Sequence, residues 1–188
     1  TLHSGDNGFH TVVWEAQQPC ENQLLLRHFH ADGEAGFPGN VTVRMMYTLT
    51  DDNGFRIDYE AETDRDTLFC PTNHAYFNLA GHRHPEQTMA HTLWLKALRY
   101  TPTDEAGIPT GEIADVSGTC LDFTISGPLS VPPTPPKGYD HNFVLDGNPA
   151  AILRDPASGR KLTVITDRPG LQLYSGNYLN VPGKDGVF

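Results

Sequence analysis

Three short segments carry histidine in settings suited to acid–base chemistry. His3 lies in a Leu-His-Ser-Gly turn, and His74 follows Asn73 and precedes two aromatic residues. Asp140 directly precedes His141 at the end of a proline-rich stretch, and a neighbouring carboxylate favours the charged form of an imidazole. Histidine titrates nearest neutral pH and is the most frequent general acid or base. These positions therefore predict a site that transfers protons.

The neighbours of His74 indicate the class of substrate. The segment 72–79 combines the amides of Asn73 and Asn78 with the rings of Tyr76 and Phe77, and we expect it to form a short strand. A sugar pocket uses such residues, because hydroxyls need polar partners and the C–H face of the ring packs on an aromatic surface. A histidine without these neighbours would more often be structural.

Other kinds of chemistry find less support. His28 and His30 lie on one face of a predicted strand, and His82 and His84 follow a glycine, but no His or Cys set has the spacing of an established zinc site. The sequence contains no Gly-x-Ser-x-Gly elbow, phosphate-binding loop or dinucleotide fingerprint. We therefore expect no metal and no cofactor. A pair of carboxylates for glycoside hydrolysis remains an alternative on spacing alone.

The charge balance limits the partners. Thirteen Lys and Arg against 23 Asp and Glu leave a formal net charge of −10 in 188 residues. Nucleic acids and anionic membrane surfaces both require a basic face. No apolar run approaches the ~20 residues that span a bilayer. The sequence thus predicts neither a nucleic-acid partner nor a membrane partner.

Cysteine usage and the first residues suggest a compartment. Cys20, Cys70 and Cys120 are far apart and form no Cys-x-x-Cys pair, so we expect reduced thiols packed as small hydrophobic groups in a cytoplasmic protein. The chain starts at Thr1 with no basic, apolar leader, and we interpret it as lacking a signal peptide and as a cut or incomplete product.

The elements that must position these residues are strands. Apolar and polar residues alternate over 41–49 and again over 55–61, on either side of an Asp-Asp-Asn-Gly turn, and this pattern predicts a β-hairpin. Six further segments suit short strands: 11–15, 23–30, 91–98, 142–145, 161–166 and 171–175. We expect an all-β antiparallel sandwich or barrel that forms a single domain over 1–188. The five-proline segment 127–138 is then a long surface loop rather than a domain linker.

Five segments, in order, resemble the aldose 1-epimerases (galactose mutarotases). They are LHSGDNGFHTVVWEA, TNHAYFNLAGH, DEAGIPTGEIADVSGTCLDF, GYDHNFVLDG and GLQLYSGNYL. The resemblance implies the galactose mutarotase-like antiparallel β-sandwich. It also implies interconversion of the α and β anomers of a free aldohexose such as galactose or glucose.

The resemblance also implies roles for individual residues. His74 matches the general acid that protonates the ring oxygen, and His3 matches a second active-site histidine that bonds near that oxygen. Asp140 matches an aspartate that binds sugar hydroxyls, and we expect Asn73 and Tyr76 to contact the substrate as well.

The sequence departs from the family pattern in three places. Ser4 replaces the first glycine of Leu-His-Gly-Gly. The catalytic glutamate of the family follows a Gly-Lys-Asp-Gly turn, which here is 183–186, but the sequence ends at Phe188. The first strands of the family, which precede His3, are also missing. We therefore expect a portion that lacks both ends and whose open sheet edges cause aggregation or a homodimer.

Two other functions remain alternatives. One is a sugar-binding module without catalysis, which would keep His74 and Asp140. The other is a hexose-6-phosphate 1-epimerase, which would need cationic residues gathered around a phosphate. Four arginines available for that purpose are scattered along the sequence: Arg44, Arg56, Arg65 and Arg83.

Overall fold

The computed structural model describes residues 2–129 and 138–179 and divides the chain into two compact units, Thr1–Ala75 and Tyr76–Phe188. The described residues form twelve strands, all paired antiparallel, in three four-stranded sheets. Their helices are three short 3₁₀ segments, Leu2–Asn7, Glu34–Gly36 and Pro85–Ala90. The prediction of an all-β antiparallel protein is confirmed, and the single domain over 1–188 stays a prediction. In the described part of the chain, no helix is both long and apolar enough to cross a membrane.

The first unit contains one sheet. Its strands, in sheet order, are β1 (Glu15–Gln17), β2 (Gln23–His30), β3 (Val41–Leu49) and β4 (Phe55–Thr63). The predicted hairpin is present, with Val41 opposite Thr63 and Leu49 opposite Phe55. Asn53 in its turn has a φ of 64°, a left-handed conformation that asparagine tolerates better than most residues. The strand predicted over 23–30 coincides with β2.

Burial of the predicted apolar face decreases along β3. Val41 and Val43 are buried, whereas Leu49 near the turn is 59% exposed. The alternation therefore predicts which residues share a face, but it does not predict how far the core extends.

Two predicted strands of this part are wrong. The strand expected over 11–15 begins only at Glu15, because Thr11 donates hydrogen bonds from its amide and its hydroxyl to the carbonyl of Gly8 and closes a turn. The segment 72–79 is irregular rather than extended in a sheet. Asn73 Oδ1 accepts a hydrogen bond from the amide of Ala75, and such local bonds compete with a strand ladder.

The second unit contains two sheets. One has the order β11-β10-β5-β8, and the other has the order β12-β9-β6-β7. The strands in chain order are β5 (Thr92–Leu95), β6 (Arg99–Thr101), β7 (Ala114–Asp115), β8 (Gly127–Pro128), β9 (Asp140–Val144), β10 (Ala151–Arg154), β11 (Lys161–Val164) and β12 (Gly170–Tyr174).

The main hydrophobic cluster of this unit draws on both sheets. It includes Leu95 of β5, Phe143 of β9 and Ala151 of β10, together with the buried ring of Tyr139. Phe143 of β9 is fully buried, and β9 pairs with β12 on one side and β6 on the other. The functional candidate Asp140 is the first residue of that strand.

Two sequence predictions for this unit, and one for cysteines in both units, need comment. The strand expected over 91–98 is shorter, at Thr92–Leu95, and the short strands β6, β7, β8 and β10 were not predicted. Most of the predicted proline-rich loop falls on 130–137, outside the described residues. The cysteines are not packed in the interior as expected, because Cys20, Cys70 and Cys120 are all exposed free thiols.

Candidate active site

The structure brings the two predicted catalytic histidines of the first unit together. The rings of His3 and His74 meet edge to face, with centroids 5.2 Å apart and planes at 72°. Both residues are exposed, so the pair is accessible to a small molecule. Two neighbouring imidazoles at the surface provide groups that can donate or accept a proton.

A strained backbone presents His3 to this contact. His3 has a φ of 53° and Ser4 a φ of 65° within the 3₁₀ segment Leu2–Asn7. The left-handed region costs a non-glycine residue roughly 1–2 kcal/mol, and glycine adopts it freely. Glycine would therefore suit position 4 better, and Ser4 is a destabilising residue at this position.

The segment that carries His74 is attached to the sheet by its neighbour. Asn73 Nδ2 donates a hydrogen bond of 3.2 Å to the hydroxyl of Tyr47 on β3. The Tyr47 ring is stacked on Phe55 of β4, with centroids 5.3 Å apart. Asn73, which we expected to contact substrate, thus has a structural contact that positions His74.

An aromatic cluster lies between the two loops of this site. Phe9, in the loop after the His3 segment, contacts Phe69, a few residues before His74, with ring centroids 6.5 Å apart. Phe9 also contacts His30, at 5.7 Å, and all three residues line a small cavity of about 70 Å³. The cluster therefore supports the His3 loop and the His74 loop together.

The histidines weighed as metal ligands have other surroundings. His28 and His30 share a face of β2, as predicted, with ring centroids 6.1 Å apart. His30 is 5% exposed, and its Nε2 lies 3.0 Å from the carbonyl oxygen of Glu34. His84 faces the carboxylate of Glu86 at 3.5 Å. Across residues 2–129 and 138–179, no group of three or more His, Cys, Asp or Glu is placed to hold a metal ion.

Asp140 begins β9 in the second unit and lies opposite Tyr174 of β12. Gln172 Nε2 donates a hydrogen bond of 2.8 Å to Asp140 Oδ1. The ring of Tyr76 lies 5.9 Å from that of Tyr174. These four side chains combine carboxylate, amide and phenol groups with two aromatic rings, the groups that a sugar requires.

The electrostatics of this group keep Tyr76 protonated. Desolvation raises the pKa of Tyr76 above its ordinary 10.0, and Tyr174 and Asp140 raise it further. At neutral pH the phenol of Tyr76 therefore remains a hydrogen-bond donor, which is the partner that a sugar oxygen needs.

His141 lies on the opposite face of β9 from Asp140. Its ring packs near Tyr139 and Tyr100, with centroids 6.5 and 6.1 Å away. Burial lowers the pKa of His141 and outweighs the opposing effect of Asp140. The carboxylate of Asp140 therefore does not hold His141 in its charged form, although the sequence places the two side by side.

A buried histidine that the sequence analysis did not single out fixes the segment that begins at Tyr76. His91 is 1% exposed, and its Nε2 accepts the amide of Leu79 at 3.0 Å. Its Nδ1 donates to the carbonyl of Gln87 at 2.9 Å. These partners require the neutral ring protonated on Nδ1. Arg160 Nη1 also donates to the carbonyl of Leu79, at 2.8 Å.

Sequence reasoning missed three neighbours of the candidate residues. Tyr47, Gln172 and Tyr174 each contact a predicted site residue. Gln172 and Tyr174 alternate along a predicted strand, so pairing that strand with the Asp140 segment would have placed both beside Asp140. The contact of Tyr47 with Asn73 had no comparable signal.

Comparison with known proteins gives the family. Residues 1–187 match the family described as aldose 1-epimerase. The chain belongs to the aldose 1-epimerase family. An aldose 1-epimerase from Haemophilus influenzae is 39% identical over 194 residues, or 98% of this chain and 57% of that protein. A galactose mutarotase from Homo sapiens is 38% identical over 195 residues, or 100% of this chain and 56% of that protein.

Solved structures of aldose epimerases share the fold. An aldose epimerase homologue from C. elegans superposes with a TM-score of 0.88 at 26% identity, covering 98% of this chain and 58% of that one. A galactose 1-epimerase from Lactobacillus acidophilus NCFM gives 0.78 at 33% identity, covering 96% and 57%. The predicted galactose mutarotase-like fold is thereby confirmed. This member of the aldose 1-epimerase family spans about half the length of the curated relatives it matches.

Proposed function

We propose that the protein interconverts the α and β anomers of a free aldohexose, such as galactose or glucose, by acid–base ring opening. His74 acts as the general acid at the ring oxygen, and His3 bonds near the same oxygen. Asp140, Asn73 and Tyr76 bind sugar hydroxyls. The observation that carries the proposal is the exposed edge-to-face contact of His3 and His74 at 5.2 Å.

The chemistry requires two coordinated proton movements. The anomeric hydroxyl loses its proton while the ring oxygen gains one, and the C1–O5 bond breaks to give the open aldehyde. Rotation about C1–C2 and closure on the other face yield the second anomer. An imidazole within ~3 Å of the ring oxygen can supply and then recover that proton, and positioned acid–base catalysis contributes roughly 10²–10⁴-fold.

The proposal assigns no residue within 2–129 or 138–179 as the base that takes the O1 proton. The Gly-Lys-Asp-Gly segment 183–186, after which the resemblance places the family's glutamate, lies outside the described residues. The acid side of the reaction is therefore the part that this structure supports.

Recognition of the sugar fits the second unit. The carboxylate of Asp140 is oriented by Gln172 and can accept hydrogen bonds from sugar hydroxyls. Tyr76 can donate through its phenol, and the rings of Tyr76 and Tyr174 offer an apolar surface for the C–H face of a pyranose.

Three of the four arginines considered for a phosphate site are paired with carboxylates, which favours a substrate without a phosphate group. Arg44, Arg56 and Arg65 lie 3.3, 2.7 and 3.2 Å from carboxylate oxygens of Glu62, Asp58 and Asp32, respectively. A guanidinium paired in this way is a weaker anion site than a free one, and the net charge of −10 further disfavours phosphate binding.

Two further features are proposals of the same kind. The exposed thiols of Cys20, Cys70 and Cys120 fit a reducing, cytoplasmic compartment. Among the described strands, β4 (Phe55–Thr63) ends the sheet of the first unit, and a nine-residue edge can pair with a second copy to form a homodimer. Sedimentation that gives only monomer would contradict the homodimer.

Polarimetry tests the main proposal. Freshly dissolved α-galactose and α-glucose are mixed with the natural full-length protein, and we expect optical rotation to reach equilibrium faster than in buffer. Methyl α-galactoside, which cannot open its ring, should be unchanged. Sugar binding without acceleration would indicate a non-catalytic module, and acceleration confined to hexose 6-phosphates would overturn the choice of substrate.

A further inference from the structure

A third imidazole extends the His3–His74 pair. The ring of His10 meets that of His3 edge to face, with centroids 6.1 Å apart and planes at 68°. His3 therefore contacts one imidazole from its own loop and one from the His74 segment. From this row of three rings, we infer that His10 is a positioning residue that sets the orientation of His3 for the anomer exchange.

A specific turn places His10 beside His3. Thr11 donates from its amide and its hydroxyl to the carbonyl of Gly8, at 2.9 and 3.0 Å. Gly8 is buried, and a Cβ at this position would overlap the carbonyl oxygen of His3 and lie 2.8 Å from Nδ1 of His10. Position 8 therefore requires glycine, because any side chain there would prevent the His10 ring from approaching the His3 segment.

His3 depends on such contacts because its own element holds it weakly. The residue is exposed and has left-handed backbone angles in a 3₁₀ segment of six residues. Edge-to-face packing of aromatic rings has a preferred geometry, since the positive edge of one ring meets the negative face of the other. The His10 contact therefore restrains the plane of the His3 ring.

This inference rests on the proposed function, in which His3 bonds near the ring oxygen of the sugar. A displacement of about 1 Å in a catalytic arrangement can cost about 10²-fold in rate. His10 touches His3 rather than a reacting atom, so its removal should loosen the geometry of the transition state without removing a proton donor. We expect the loss in kcat, with KM little changed.

The experiment compares His10→Ala with His10→Phe in the natural full-length protein. Phenylalanine keeps an aromatic ring against His3 but can neither titrate nor donate a hydrogen bond. His10→Ala should lower kcat by about three- to tenfold, as expected for one aromatic contact, and His10→Phe should restore it to within about twofold. His84→Ala, at an exposed histidine of the second unit, is the matched control and should leave kcat unchanged.

NMR supplies a readout independent of rate. The ring-proton resonances of His3 should shift in His10→Ala, because they lose the ring current of His10, and should stay unchanged in His84→Ala. A wild-type kcat and unshifted His3 resonances in His10→Ala would overturn the inference. An equal loss of kcat in the Ala and Phe variants would also overturn it, because the contact would then not be the cause. Absence of acceleration in the wild type would overturn the proposed function, and this inference with it.

Discussion

Replacing His91 by phenylalanine should destabilise the protein strongly, because this ring satisfies two backbone groups in a buried place. The ring is 1% exposed and bonds the amide of Leu79 at 3.0 Å and the carbonyl of Gln87 at 2.9 Å. Phenylalanine keeps most of the volume but leaves both groups without this partner. Each buried unsatisfied group costs about 1–3 kcal/mol, so for two groups we expect the free energy of unfolding to fall by about 2–6 kcal/mol.

Urea unfolding followed by circular dichroism measures this change. In thermal unfolding of a chain of this size, a loss of about 3 kcal/mol lowers the Tm by about 6–12 °C. His91→Gln should lose less, because its amide offers both a donor and an acceptor. The exposed His84→Phe is the matched control and should stay within about 0.5 kcal/mol of wild type. A His91→Phe protein as stable as this control would refute the role assigned to His91.

Three other perturbations have defined outcomes. Ser4→Gly should raise the free energy of unfolding by about 1 kcal/mol, because the φ of 65° then carries no steric cost; a less stable variant in urea would contradict this. Asp140→Asn should raise KM for galactose by about tenfold or more, since one charged hydrogen-bond acceptor is lost, and an unchanged KM in initial-rate polarimetry would remove Asp140 from the sugar site. In His141→Asn, the free energy of unfolding should decrease less steeply than in wild type as the pH is lowered. Because burial lowers the pKa of His141 below 6.5 in the folded state, the unfolded chain takes up its proton first as the pH falls, so wild-type stability should decrease below about pH 6.5; equal slopes in the two proteins would be inconsistent with that effect.

The regular part of the fold was predictable where local patterns and turn chemistry agreed. The hairpin of β3 and β4 followed from two-residue alternation on either side of Asn53-Gly54, and 23–30 was predicted in full. The strand expected over 11–15 is wrong because its first residues form the Gly8–Thr11 turn. The strand expected over 72–79 is wrong because the side chain of Asn73 accepts a hydrogen bond from the nearby amide of Ala75. Propensity alone does not reveal such competing side-chain bonds.

The candidate site shows a similar division. The resemblance selected His3, His74 and Asp140, but the contacts that place them depend on distant parts of the chain. Nothing near Asn73 in the sequence indicates a bond to Tyr47. The role of His91 was not predicted either, because the sequence alone does not distinguish a buried structural histidine from an exposed catalytic one.

The measurement closest to the central claim is the rate of anomer exchange in a His74→Ala variant of the natural full-length protein, at saturating α-galactose. The account predicts a fall in kcat of about 10²–10⁴-fold, with circular dichroism and the unfolding midpoint near those of wild type and with His84→Ala fully active. Exchange at the wild-type rate in a folded His74→Ala protein would contradict the assignment of His74 as the acid.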